Sequence, residues 1–324
     1  MRLSQYLIPL LLGSVVLASQ AAPVLAYPIR PVTLVVPFAP GGAFDVVARL
    51  VSKQLAGELG QSIIVENKSG AGGTIGGRFV AEAKPDGYTI LLSGVGPISI
   101  APSVYKKLGY SPSSALAPVV QLTSSPFVLV VSDQYKGTTV KDFVAFLKAA
   151  PGTYNYASTG NGTLVHLAGE YFKNQTKTKF EHVPFAGGSQ ATMSLLSGDT
   201  LFSITNIPNV LAQIKTGKLK ALATTGTTRS GSLPNLPTMM EAGFPQFEVT
   251  GWIGIFAPAG TPDVAVQKLN KAFNKAMQDP EVKKRLLEQG DEVATGSINE
   301  FRNFVARSDS KWQKIATDAN ISIK

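Results

Sequence analysis

Val32-Thr33-Leu34-Val35-Val36 runs without a break into Pro37-Phe38-Ala39-Pro40-Gly41-Gly42-Ala43, and then into Phe44-Asp45-Val46-Val47-Ala48-Arg49-Leu50-Val51. The first five residues are apolar or β-branched and stop at a proline, as in a strand buried on both faces. Phe44, Val47, Ala48, Val51 and Leu55 then recur at helical spacing, and Gly60 supplies a left-handed stop. The stretch is therefore a strand, a tight turn and a helix. No Lys or Arg in the first helical turn fills the positive end of the dipole, and Gly41 and Gly42 remove the Cβ atoms that would hold a ligand away. The opening amides are thus expected to bind an anion. Asp45 has two readings: it stabilises the helix start, or it pairs with a hydroxyl or ammonium group on the ligand.

Around this unit the chain has 324 residues, enough for about two domains. Hydrophobic residues at 44 % and charged residues at 16 % fit an ordered globular protein. The absence of cysteine excludes disulfides, thiolate catalysis, Fe–S clusters and Cys-ligated zinc, and His166 and His182 alone cannot build a multi-histidine metal centre. No cofactor is expected. The formal charge of +9 is spread over scattered lysines, with Lys283-Lys284-Arg285 as a short cluster lacking interleaved aromatics. That describes a solvated basic surface and no nucleic-acid platform, although a positive field raises the encounter rate of anions.

Arg2, the apolar run Leu7 to Ala18 and the small residues before Tyr27 describe a signal peptide over 1–26, cut after Ala26. An uncleaved anchor is the competing reading, but Pro9, Ser14, Ser19, Gln20 and Pro23 interrupt the run below the roughly 20 residues a span needs. The mature protein is expected to be periplasmic.

Further along, Ile63 to Val65 and Tyr88 to Leu92 read as strands, with the glycine-rich Glu66 to Gly73 between them and Ser93 at the second strand's end. A second series starts at Phe127 to Val131. It continues through Tyr154 to Ala157, the loop Ser158 to Thr163 with a helix carrying His166, Phe180 to Pro184, the loop Phe185 to Ser189, and Leu201 to Ile204 followed by Thr205-Asn206. Alternating strands and helices imply parallel sheets with loops gathered at the carboxyl ends of the strands. Arg229 to Thr250, dense in Pro, Gly, Ser and Thr, reads as a surface connection. Trp252 and Phe256 belong to a strand and read as core. Ser297 with Glu300 forms a capping box at the start of the last helix. The tail has no partner in the middle series and should return to the first sheet. The expected organisation is a first domain over 27–124, a second over 125–247 and a return segment over 248–324, with a ligand cleft between the domains.

Several segments are shared, in order, with one family. They are Val35 to Gly42 with Asp45, Val65 to Gly73, Pro85-Asp86-Gly87-Tyr88-Thr89, Ser158 to Thr163 with His166 to Glu170, Val183 to Gly188, and Gly254 to Pro262. The chain resembles the Bug (TctC-type) extracytoplasmic solute-binding proteins over essentially the whole mature length. The resemblance implies an α/β, two-domain type II periplasmic binding protein fold, with two parallel-rich sheets flanked by helices. It implies a monomeric protein, not an enzyme, that presents a small organic acid (a mono-, di- or tricarboxylate, possibly aromatic) to the membrane subunits of a tripartite tricarboxylate transporter. Two loops would grip a carboxylate through main-chain groups and waters. The first is Phe38, Ala39, Pro40, Gly41, Gly42 and Ala43, with Asp45 behind it. The opposing groups are Ser158, Thr159, Asn161, Thr163 and His166, together with Phe185, Gly187, Gly188 and Ser189. Ser93, Thr205 and Asn206 complete the candidate set. Such proteins often carry an Asp where this chain has Thr205-Asn206, which argues against an amino-acid ligand. A sensor subunit would use the same pocket. A secreted α/β hydrolase finds no support, since no Gly-x-Ser-x-Gly elbow is present.

Overall fold

The computed structural model describes residues 27–322, and the expected signal peptide lies outside the described residues. The strands are β1 (Val32–Val36), β2 (Ile63–Asn67), β3 (Thr89–Gly94), β4 (Leu116–Val131), β5 (Asn155–Ser158), β6 (Glu181–Pro184), β7 (Phe202–Asn206), β8 (Lys220–Thr224), β9 (Thr250–Pro258) and β10 (Glu292–Val293). The helices are α1 (Ala43–Leu59), α2 (Thr74–Ala81), α3 (Ala101–Val104), α4 (Pro112–Ala115), α5 (Val140–Ala149), α6 (Leu164–Thr176), α7 (Gly188–Ser197), α8 (Ile207–Lys215), α9 (Asp263–Ala276), α10 (Pro280–Glu288) and α11 (Ile298–Asp318).

Hydrogen-bonded neighbours run β2-β1-β3-β9-β4-β7-β5-β6, with β8 and β10 also on β4. The outer pairs are parallel, as alternating strands and helices require, whereas every pairing of β4 and β9 is antiparallel. The run Phe127 to Val131 is not the start of a new strand: it is the second half of the 16-residue β4. Leu116 to Pro126 of that strand pair with β9, and Phe127 to Val131 pair with β7 and β8. The register on β9 slips twice, between Pro118 and Val120 and between Gln121 and Thr123. Such bulges bend and twist a strand, so one strand can serve two differently oriented lobes. The chain returns beside the same point. Thr225 exchanges hydrogen bonds with Phe127, and Val249 N–H donates to the Thr225 carbonyl.

In the first lobe α1 and α9 cover one sheet face, burying Val47, Val51, Leu55, Ile90, Leu269 and Phe273. In the second, Phe143, Tyr156, Phe172, Phe180 and Phe202 form an edge-to-face aromatic cluster. Phe172 is fully buried there, and truncating such a residue costs about 3–5 kcal/mol. The stretch Arg229 to Thr250 is not a surface connection throughout. Met239, Phe247 and Val249 are fully buried, and Phe247 stacks on Tyr171 at 4.9 Å. Its apolar residues follow no sustained strand or helix period because they plug the lobe core from a loop. The tail returns to the first sheet, through β9 on β3 and α9 on α1.

Candidate functional site

A cavity of about 820 Å³ opens between the lobes. Three helix N-termini reach its wall: α1 with Ala43 and Phe44, α6 with Leu164 and Val165, and α8 with Ile207 to Asn209. The amides of Ala43, Phe44, Leu164, Val165 and Ile207 lie before the first intrahelical bond and have no acceptor among the described residues. Each terminus carries a partial positive charge. No Lys or Arg lines the cavity among the described residues, and its charged groups are Glu288 and Asp291. Positive potential here comes from main-chain dipoles.

The loop before α1 is built by Asp45. Its carboxylate is buried and accepts hydrogen bonds from Gly41 N–H at 2.9 Å, Arg49 Nε at 2.9 Å and Asn67 Nδ2 at 3.0 Å. Arg49 holds the carboxyl down at about 2, reinforced by Gly41 and Asn67 against the opposing effect of burial. Asn67 also donates to the Phe38 carbonyl. The Gly41 amide is therefore not open to a ligand, contrary to expectation, and of the two readings of Asp45 the geometry matches the helix-start one, its acceptors being spent on the protein. Gly41 still needs its glycine, at φ +79°. Ala39, Pro40, Gly41 and Gly42 are exposed beside the cavity but do not line it, while Phe38 and Ala43 do. Phe38 packs on Phe44 at 4.4 Å and makes an apolar wall.

The opposing loop is also self-satisfied. Thr163 caps α6, its hydroxyl accepting from His166 N–H at 3.3 Å and donating to the Gly160 carbonyl at 2.8 Å. Ser158 Oγ accepts from Gly160 N–H and bonds His182 Nε2 at 2.6 Å. His166 Nδ1 accepts from Gly162 N–H at 3.0 Å, which puts its ring proton on Nε2. The two histidine rings stack at 3.9 Å. Burial, then the neighbouring ring, brings His182 down to about 4, and burial also lowers His166, so a neutral pair braces the loop. Thr159, Asn161 and Thr163 line the cavity, whereas Ser158 and His166 stand behind it.

Phe185, Gly187, Gly188 and Ser189 flank that loop at the edge strand β6 and do not line the cavity, nor do Ser93, buried in β3 with its hydroxyl unpaired, and Thr205, buried in β7. Asn206 does line it, at the N-cap of α8. Several wall contributors are absent from the sequence reading, among them Pro97, Tyr105, the start of α8 and Asp291. Helix α8 was legible in Asn206-Ile207-Pro208, a capping residue followed by an early proline. Asp291 was not legible, because only the pairing of β10 with β4 brings it to the cleft. Its Oδ1 accepts from Ser125 Oγ, and burial pushes its carboxyl up to about 6.

Two α/β lobes joined at β4 and β9, with a cavity between them, define a type II periplasmic binding protein fold. Residues 47–321 match the tripartite tricarboxylate transporter family receptor, TctC, and the chain belongs to that family of periplasmic solute-binding proteins. It is 35% identical over 310 residues to Protein BugT of Bordetella pertussis, covering 95% of each chain. A Rhodopseudomonas palustris protein solved with adipate superposes with TM-score 0.76 at 32% identity, over 92% of this chain and 100% of that one. MatC of the same organism, solved with malate, gives TM-score 0.72 at 34% identity, over 89% and 99%.

Proposed function

We propose that this chain captures a small carboxylate-bearing solute in the cleft and delivers it to the membrane subunits of a tripartite tricarboxylate-type transporter. The observation that carries the reading is the convergence of three helix N-termini on a cavity wall without a cationic side chain. Hydrogen bonds to a charged group contribute roughly 1.5–3 kcal/mol each, so four or five supply the ~8 kcal/mol of a micromolar complex. Adipate and malate in the two Rhodopseudomonas relatives are carboxylates, which supports the same chemistry here.

The domains are taken to meet near 124/125 and 247/248 and to close about the point where β4 changes partners, as hinged lobes do. Export through the segment 1–26 and a monomeric state belong to the same reading. Among the described residues no helix is long and apolar enough to cross a membrane. Calorimetry of the purified protein against mono-, di- and tricarboxylates, including aromatic ones, tests the proposal. Micromolar binding of at least one is expected, and silence across the panel would reject it.

A further inference from the structure

Asp291 gives the cleft a feature that carboxylate capture alone does not use. The residue follows α10 and leads into β10, and this segment reaches across to the second lobe. A Cβ on Gly290 would lie 2.8 Å from Pro208 Cγ, in the first turn of α8. Asp291 is only 8 % exposed, and one carboxyl oxygen accepts from Ser125 Oγ. The other has no protein partner and is not sealed off, on a residue that lines the cavity. No Lys or Arg pairs with it among the described residues. On the elements packed around it, β4 offers Ser125 to Phe127 and α8 offers Pro208, all uncharged. Glu288 lines the same cavity, and Glu292 turns away to the Gly231 amide.

A half-paired buried carboxyl facing a ligand space favours a hydrogen-bond donor and disfavours a second carboxylate. Resting on the carboxylate reading above, we propose that Asp291 is a specificity residue whose free oxygen accepts a hydrogen bond from a hydroxyl or ammonium group on the ligand, so that this chain selects hydroxy- or amino-substituted acids over their unsubstituted counterparts. The carboxylate end of the ligand faces the helix N-termini, and the donor end faces Asp291. The rise of its carboxyl to about 6 is consistent with a site that nothing inside the protein neutralises. The position also revises the sequence argument against amino-acid ligands. The acidic group missing after β7 is supplied by a different element.

The test is calorimetry with length-matched probes, namely succinate, malate and aspartate, then glutarate, 2-hydroxyglutarate and glutamate, against the wild type, Asp291→Asn and Asp291→Ala at pH 8. In the wild type one donor-bearing acid should bind at least about tenfold more tightly than its unsubstituted partner. Asp291→Ala should bring that ratio to within about twofold while the unsubstituted acids still bind. Asp291→Asn separates the donors: a hydroxyl preference survives on the remaining amide oxygen, and an ammonium preference is lost with the charge. Lowering the pH to 5 should tighten succinate or glutarate in the wild type but not in Asp291→Asn. Equal affinities across each triplet in the wild type, or a ratio unchanged in Asp291→Ala, would overturn the inference and leave carboxylate capture standing. No binding of any acid would remove both. Thermal melts of both variants guard against misfolding, and Asp291→Asn should melt no lower than the wild type at pH 8.

Discussion

Ala43→Pro removes one proposed anion donor and almost nothing else. Ala43 is the first residue of α1, where proline's fixed φ suits the helix and its missing N–H interrupts no intrahelical bond. The preceding Gly42 sits at φ −76°, ψ 168°, the extended conformation a residue before proline requires, and has no Cβ to clash. The Ala43 amide has no protein acceptor, so folding loses no hydrogen bond, and the unfolded chain loses entropy worth about 0.4–1 kcal/mol in favour of the fold. Binding forfeits one charge-assisted hydrogen bond of roughly 1.5–3 kcal/mol, about a 10- to 150-fold rise in Kd. Calorimetry with the tightest carboxylate of the panel, beside a thermal melt, reads both quantities. A melt unchanged or raised with a Kd weakened at least tenfold is the expected pair. An unchanged Kd in a protein that melts normally would refute the placement of the anion at α1.

Three further substitutions probe the scaffold of the site. Asp45→Asn should lower stability at pH 7 by about 1–2 kcal/mol, read by urea denaturation. Its folded-state pKa of about 2 against 3.8 corresponds to roughly 2.5 kcal/mol at about 1.4 per unit, less an allowance for solvent screening at Arg49. That contribution is present above pH 3.8 and fades as the pH falls towards 2, so wild type and variant should converge in acid. For His182 the folded value lies below the unfolded 6.5, so its contribution is lost as the pH falls from 6.5 to about 4, and His182→Gln should flatten the stability profile by about 2 kcal/mol over that window. Asp291 works in the opposite sense there, because its raised pKa makes the fold relatively more stable as the pH falls from about 6 towards 4, so the His182 effect is read most cleanly in an Asp291→Asn background. Phe38→Ala should weaken longer acids more than shorter ones, reducing the gain of about 0.8 kcal/mol per buried methylene, and a uniform loss across chain lengths would show that Phe38 does not touch the chain.

The sequence made the periodic parts readable. Strand β1, helix α1 with its Gly60 stop and the Ser297–Glu300 box all form as local rules require. Long-range uses of the same residues were not readable. The Asp45–Arg49 pair follows from i,i+4 spacing, but the closing bond from Asn67 depends on β1 lying beside β2. His166 and His182 meet because α6 and β6 both pack on Tyr156, a contact no spacing encodes. The full length of β4 was hidden because the polar Thr123-Ser124-Ser125 and Pro126 interrupt its apolar runs, although the strand continues through them and changes partners between Pro126 and Phe127. Two-residue β10 is too short for a period to be seen, and β8, Lys220-Ala221-Leu222-Ala223-Thr224, lacks the β-branched run that marks β1.

The most direct measurement is a crystal structure of the protein with the tightest acid of the panel. Carboxylate oxygens are expected about 3 Å from main-chain nitrogens at the starts of α1 and α6 or α8, with Asp45 still bound to Gly41, Arg49 and Asn67. A carboxylate held instead by a Lys or Arg side chain, or seated outside the cleft, would contradict this placement.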